Sequence, residues 1–170
     1  MDDCDQCGFV YGAVAAEEIA GRLRQLGANV QAVFRGVDMR VVAVRPDPAT
    51  WSALEYACHT RDVLLVQRDR AVLAQVEECP NFARMHRDER VSLCGYDQHP
   101  IEAVLAHVAV AAELCATVFG NLSARAWARR MVYNWPESAE RDLLWLGRHT
   151  VHEGEHHLKD MRACLLAAAG

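Results

Sequence analysis

The chain has 170 residues, 52% of them hydrophobic, and a formal charge of −5. That length suits one domain with a sizeable core, and the acidic balance, without a basic stripe or interleaved aromatics, excludes a nucleic-acid partner. No apolar run reaches the length that crosses a bilayer, and Met1-Asp2-Asp3-Cys4 does not read as a signal peptide, so a cytoplasmic protein with no membrane partner is expected.

Seven cysteines, an odd number without secretory features, point to free thiols or metal ligands rather than a disulfide framework. Cys4-Asp5-Gln6-Cys7-Gly8 is a CxxCG knuckle at the head of a small N-terminal segment, residues 1–12. It reads as half of a second metal site or as a redox pair. Cys79, His86, Cys94 and His99 are the candidates to complete a metal site, but no second CxxC or HxxxH follows it, and no βαβ pattern supports a thioredoxin-like unit.

From about Ala13 to about Gly36 the apolar residues Val14, Ile19, Leu23, Leu26, Val30 and Val33 recur at helical spacing, with Gly27 an interruption. Residues 38–48 read as a connection with a brief extended piece. A second helix starts near Thr50 or Trp51, where Ser52-x-x-Glu55 matches a capping box, and runs to about Glu77. It places Trp51, Glu55, His59, Asp62, Val66 and Leu73 on one face. Residues 78–97 read as irregular, a solvated loop or short helical turn. Pro100 opens a third helix that ends at Gly120-Asn121. A short extra helix follows from Ser123 to about Arg130, then a turn at Tyr133-Asn134-Trp135-Pro136. The last helix is predicted from Glu137 or Ser138 to about Ala168. Alternating strand patterns are nearly absent. Four long helices with moderate connections predict an all-α fold, a four-helix bundle occupying the whole chain as one domain.

Four of the eight histidines lie in His149-Thr150-Val151-His152-Glu153-Gly154-Glu155-His156-His157. On a helix His152 and His156 stack one turn apart, and His149 falls on the same side. Such a pair can share one borderline-soft divalent ion. His152-Glu153-x-x-His156 also matches the HExxH of zinc peptidases, but Lys159 and Arg162 stand where an extended motif needs Gly and His, and too little chain follows for a downstream ligand helix. The other reading joins His59 to His152 and His156 as three ligands of one metal, with His149 and His157 as the nearest competitors.

Trp51-Ser52-x-x-Glu55-x-x-x-His59 resembles the opening of the second helix in the DinB-like superfamily, and His152-x-x-x-His156-His157 resembles its C-terminal HxxxHH. Leu158-Lys159-Asp160 replaces the Arg-Gly-Gln that often follows there. The resemblance covers about Trp51 to Arg162 and leaves Cys4 and Cys7 without a role. It implies a four-helix bundle holding one divalent metal, zinc foremost and nickel as the alternative, on His59, His152 and His156. It further implies a metal-dependent transferase that uses a low-molecular-weight thiol such as mycothiol, and pairing into a homodimer. The expected partners are then a small-molecule thiol and an electrophile. Glu55 and Glu153 are the candidate catalytic carboxylates, Glu55 and Asp62 the candidates to orient His59, and Arg61 and Arg148 the candidates for an anionic co-substrate. The alternative is a metal-binding helical protein without catalysis, a stress-associated or sensing module.

Overall fold

The computed structural model describes residues 3–169. The four long helices are α1 (Ala16–Val33), α2 (Ala53–Val76), α4 (Ile101–Gly120) and α5 (Leu143–Ala169), with a short α3 (Arg87–Leu93) between α2 and α4. Each starts where its chemistry permits. The Ser52 hydroxyl accepts from the Glu55 amide at 3.2 Å, and the Glu55 carboxylate accepts from the Ser52 amide at 2.7 Å. The Asp142 carboxylate accepts from the Trp145 amide at 2.7 Å at the head of α5.

α1 packs on α4 and α5, and α2 packs on the same two helices. Consecutive α1 and α2 are therefore diagonal partners, as are α4 and α5, which is why the segments joining them are long. The core is built from Ile19, Leu23, Leu26 and Val30 of α1, Leu54, Ala57 and Leu64 of α2, Val104, Val108 and Cys115 of α4, and Leu146, Val151 and Met161 of α5. Gly27 has a packing reason: a Cβ there would stand 3.1 Å from the Cα of Ala109, so its absence lets α1 and α4 come close. Helix α4, 20 residues with mean hydropathy 1.8, is long and apolar enough to cross a membrane by length and composition, contrary to the sequence expectation. In the fold its buried stripe faces α1 and α2.

The expected four-helix bundle is present, and the region before α5 adds a small sheet to it. Residues 130–134 form β2, paired antiparallel with β3 (Ser138–Asp142) and parallel with the two-residue β1 (Asn81–Phe82). The predicted turn at residues 133–136 is there, but it is the tip of a hairpin, and α5 begins at Leu143 rather than near Glu137. The short helix expected over residues 123–130 shrinks to a single 3₁₀ turn, Ala126–Ala128. Met131 and Tyr133 point inward while Arg130 is exposed, a period of two. Tyr133 hydroxyl accepts from Gln67 Nε2 at 2.8 Å, and the Arg70 guanidinium lies 4.9 Å from the Tyr133 ring centre, so the hairpin seals onto α2.

Two expectations for variants follow. Gly154 sits in α5 where a Cβ would overlap Leu26 of α1. Gly154→Ala improves helix propensity by about 1 kcal/mol, yet overpacking costs about 1–3 kcal/mol; urea denaturation is expected to show a net loss. Asp62 is buried and accepts from Tyr96 hydroxyl at 2.5 Å and Arg61 Nε at 2.7 Å. Burial alone raises its pKa, but these bonds outweigh it and hold the carboxyl below the usual range. A depressed folded pKa contributes stability that is present above the unfolded value, about 3.9, and is lost as pH falls through the folded value. Asp62→Asn is expected to cost about 1–3 kcal/mol at neutral pH and to flatten the acid limb of the stability profile.

Candidate metal centre

Helix α5 turns 100° per residue, so its neighbours His152 and Glu153 cannot face the same way. The same holds for His156 and His157. The i, i+4 pairs are instead His152 with His156 and Glu153 with His157, two ladders on adjacent stripes of one helix. The structure gives each ladder a different partner across the bundle, and two further groups bridge the ladders: His149, His152 and Glu153, and His156, His157 and Asp160. Donor atoms of His59, Glu153 and His157 lie within 4.8 Å of one another, and so, separately, do those of Cys4, Cys7, His152 and His156.

The predicted set His59, His152 and His156 is thus not brought together as one group among the described residues. His59 from α2 meets the second ladder, its ring centre 5.0 Å from that of His157. Cys79, His86, Cys94 and His99 do not join the Cys4/Cys7 group. Glu55 is committed elsewhere: it caps α2 and receives Arg45 Nη2 at 2.6 Å. Asp62 faces Tyr96, Arg61 and Arg90, so neither carboxylate orients His59. Arg61 pairs with Asp62, and Arg148 donates to the Val14 carbonyl at 2.8 Å; neither lines the cavity at the site.

Around His59 the donors are prepared for a cation. His59 Nδ1 and His157 Nε2 are buried and have no hydrogen-bond partner, an arrangement that costs about 1–3 kcal/mol per group unless something occupies it. His157 Nδ1 lies 2.8 Å from Asp160 Oδ2, which fixes the tautomer and leaves Nε2 toward Glu153 at 3.7 Å. Burial, with the neighbouring His157, pushes His59 down to about 3, a neutral ring at physiological pH. Burial also acts to lower His157, but Asp160 and Glu153 outweigh it and raise that ring to about 9. For Glu153 burial acts upward, yet hydrogen bonding to His152 and His157 keeps it well below the carboxylate range. The cluster therefore holds a permanent carboxylate facing two imidazole nitrogens, one of which carries a proton that a divalent cation would replace. Two imidazoles and one carboxylate are the donor set of an open, catalytic type of site, and they fit zinc and its first-row neighbours.

His59 and Glu153 of this cluster line a cavity of about 340 Å³, together with Gln67, Tyr133, Trp135 and His149, the arginines Arg70, Arg84 and Arg87, and the acidic Asp88 and Glu89. Arg87 sits 4.9 Å over Trp135 and 5.9 Å over Trp51, with Asp88 3.8 Å from its Nε, so the wall sets guanidinium groups on aromatic faces beside carboxylates. The left-handed backbone at His86 (φ 52°) marks the sharp entry into α3 that carries Arg87 to the rim. His149 stacks on Trp145 at 4.7 Å and meets Tyr11 hydroxyl through Nδ1 at 2.7 Å.

The other ladder faces the N-terminal segment. Phe9 packs 5.2 Å from the His152 ring, and Tyr11 hydroxyl lies 3.1 Å from His152 Nδ1. Burial acts to raise the Cys4 thiol, but the Cys7 amide and His152 outweigh it and draw it down to about 6, while burial raises Cys7.

A family model for the DinB superfamily matches residues 22–161. The chain belongs to the DinB superfamily. Its structure is also similar to YfiT from Bacillus subtilis, described as a probable metal-dependent hydrolase with an unusual four-helix bundle topology. The TM-score is 0.79, with 13% identity over 89% of this chain and 88% of that one. At that identity the likeness is one of fold. No curated protein matches the chain. The DinB model begins within α1, so Cys4, Cys7 and Tyr11 lie outside the matched region.

Sequence reading missed Glu153 and His157 as the pair that meets His59, and the arginines of the 84–87 stretch. The one available signal was the second i, i+4 ladder, Glu153/His157, one residue out of step with the more conspicuous histidines. Tyr11 hydroxyl touches both His149 of the cavity lining and His152 of the other ladder. Tyr11→Phe keeps the ring packing and removes that hydroxyl; chemical denaturation is expected to show a loss of about 1–2 kcal/mol.

Proposed function

We propose that this DinB protein is a metal-dependent transferase of a low-molecular-weight thiol, acting on a small anionic molecule at the His59/Glu153/His157 cluster. The observation that supports this most is the convergence of these three donors, two with orphaned buried nitrogens, beside a cavity that His59, Glu153 and three arginines help to line. His59, Glu153 and His157 would hold a divalent cation, zinc foremost, and its Lewis acidity would lower the pKa of an incoming thiol.

The remaining work belongs to the chain. Arg84 and Arg87 on the cavity wall receive the anionic group of the electrophilic substrate. The aromatic faces of Trp135 and Tyr133 narrow the entrance and exclude water. His149, which lines the same cavity with Nε2 3.9 Å from Glu153, is placed to take the proton the thiol gives up. Asp160 holds His157 in the tautomer that keeps Nε2 available. The electrophile that fits such a cavity is compact and carries its own anionic group. Hydrolysis is the second reading, supported by the likeness to YfiT, because a cation held by the same residues would activate water as well as a thiol.

The test uses untagged protein, metal analysis, and a transfer assay with mycothiol and a bimane electrophile. His59→Ala and His157→Ala are each expected to lower kcat/KM by about 100-fold or more. Arg87→Ala is expected to raise KM for anionic substrates with kcat little changed. Wild-type activity in both histidine variants would overturn the assignment, and ester hydrolysis without thiol transfer would move it to the hydrolase reading.

A further inference from the structure

We propose that Cys4, Cys7, His152 and His156 form a second, closed zinc site that clamps the N-terminal segment to α5. It shares no ligand with the His59 cluster; the two adjoin through Asp160, whose Oδ2 lies 2.8 Å from His157 Nδ1 and 3.5 Å from His156 Nε2, and through Glu153, 3.5 Å from His152 Nδ1.

The knuckle is already shaped for it. The Cys4 amide donates to the Phe9 carbonyl at 2.9 Å, and the Gly8 amide donates to the Cys4 carbonyl at 2.7 Å. Gly8 takes φ 73°, a conformation that suits glycine, and the tight turn brings both thiols to one side. The imidazoles come from one turn of α5, 145 or more residues later. Each has its other nitrogen engaged. His152 Nδ1 meets Tyr11 hydroxyl at 3.1 Å, and His156 Nε2 faces Asp160 Oδ2 at 3.5 Å. The nitrogens left over are His152 Nε2, which is buried with no partner, and His156 Nδ1, which stands 3.7 Å from Cys4 Sγ. A metal-bound histidine is held in this way, with the outer nitrogen on an oxygen and the inner one on the ion.

Distances agree with the assignment. Tetrahedral zinc with sulfur at about 2.3 Å and nitrogen at about 2.1 Å sets its ligand atoms about 3.6 Å apart. The Cys4–His156 edge already has that length, and all four donors lie within 4.8 Å, so small side-chain rotations close the site. Two sulfurs and two nitrogens select zinc over magnesium or calcium. Four protein ligands leave no open position, so the role is structural rather than catalytic. What it fastens is specific: Phe9 and Tyr11 are buried against α5, and Tyr11 touches His149 of the cavity. Without the clamp, residues 3–10 are held mainly by these two rings and the Lys159 bond to the Cys7 carbonyl.

The test compares full-length untagged wild type with Cys4→Ser/Cys7→Ser and with His59→Ala/His157→Ala, purified under reducing conditions and loaded with zinc or cobalt(II). Wild type is expected to retain about two equivalents, and each double variant about one. The sulfur-to-cobalt charge-transfer band should vanish in the cysteine variant and persist in the His59/His157 variant. In wild type, zinc should slow iodoacetamide labelling of Cys4 and Cys7 at least tenfold, a readout that stands even if the cysteine variant does not fold. The proposal is overturned if cobalt-loaded wild type shows no charge-transfer band, or if both thiols label at equal rates with and without zinc. A Cys4–Cys7 disulfide that persists under reducing conditions would also overturn it. Loss of the His59 site with the charge-transfer band intact counts against the proposed enzyme function and leaves the clamp standing.

Discussion

A helix cannot aim two adjacent residues the same way, and the chemistry of this protein depends on that restriction. His152 and Glu153, like His156 and His157, are separated by 100° around α5. One stripe meets α2 and the other meets the N-terminal segment. The bundle order makes this possible: α5 lies between α1 and α2, so both of its flanks are covered, one by His59 and the other by chain that precedes α1. Gly154 falls on a third stripe, past Glu153 and His157, and its missing side chain lets Leu26 of α1 approach the helix at that level. The close contact of α1 with α5 and the composition of the histidine stretch are thus one fact.

The energetics point the same way. Burying imidazole nitrogens without partners, beside a carboxylate held in its charged form, opposes folding. The fold accepts that cost at His59, His152 and His157 and nowhere else among the described side chains. Around them the remaining polar atoms are satisfied: Asp160 serves His157, and Tyr11 serves His149 and His152. Orphaned nitrogens inside an otherwise satisfied network are what a site awaiting a cation looks like.

Much of this was legible from the chain itself. The helical periods of α1, α2 and α4, the Ser52/Glu55 cap and the two histidine motifs locate the bundle and the DinB resemblance without coordinates. The register of α5 against α2 was not legible, because it depends on how far α5 is rotated about its axis, and conspicuous histidines drew attention from the plainer pair Glu153/His157. A glutamate following a histidine is ordinarily solvated, and nothing local marks this one as inward-facing. Cys4 and Cys7 find their partners some 150 residues on, a pairing that bundle closure alone creates. Of the hairpin, Met131 and Tyr133 carry a faint period of two. Ser138-Ala139-Glu140-Arg141-Asp142 carries no strand propensity at all and is extended because β2 lies beside it.

The central claim is that α5 serves two separate centres rather than one. Anomalous scattering at the zinc edge from crystals of the zinc-loaded protein tests it most directly. The account predicts two peaks, one among His59, Glu153 and His157 and another among Cys4, Cys7, His152 and His156. A single peak bound jointly by His59, His152 and His156 would contradict it.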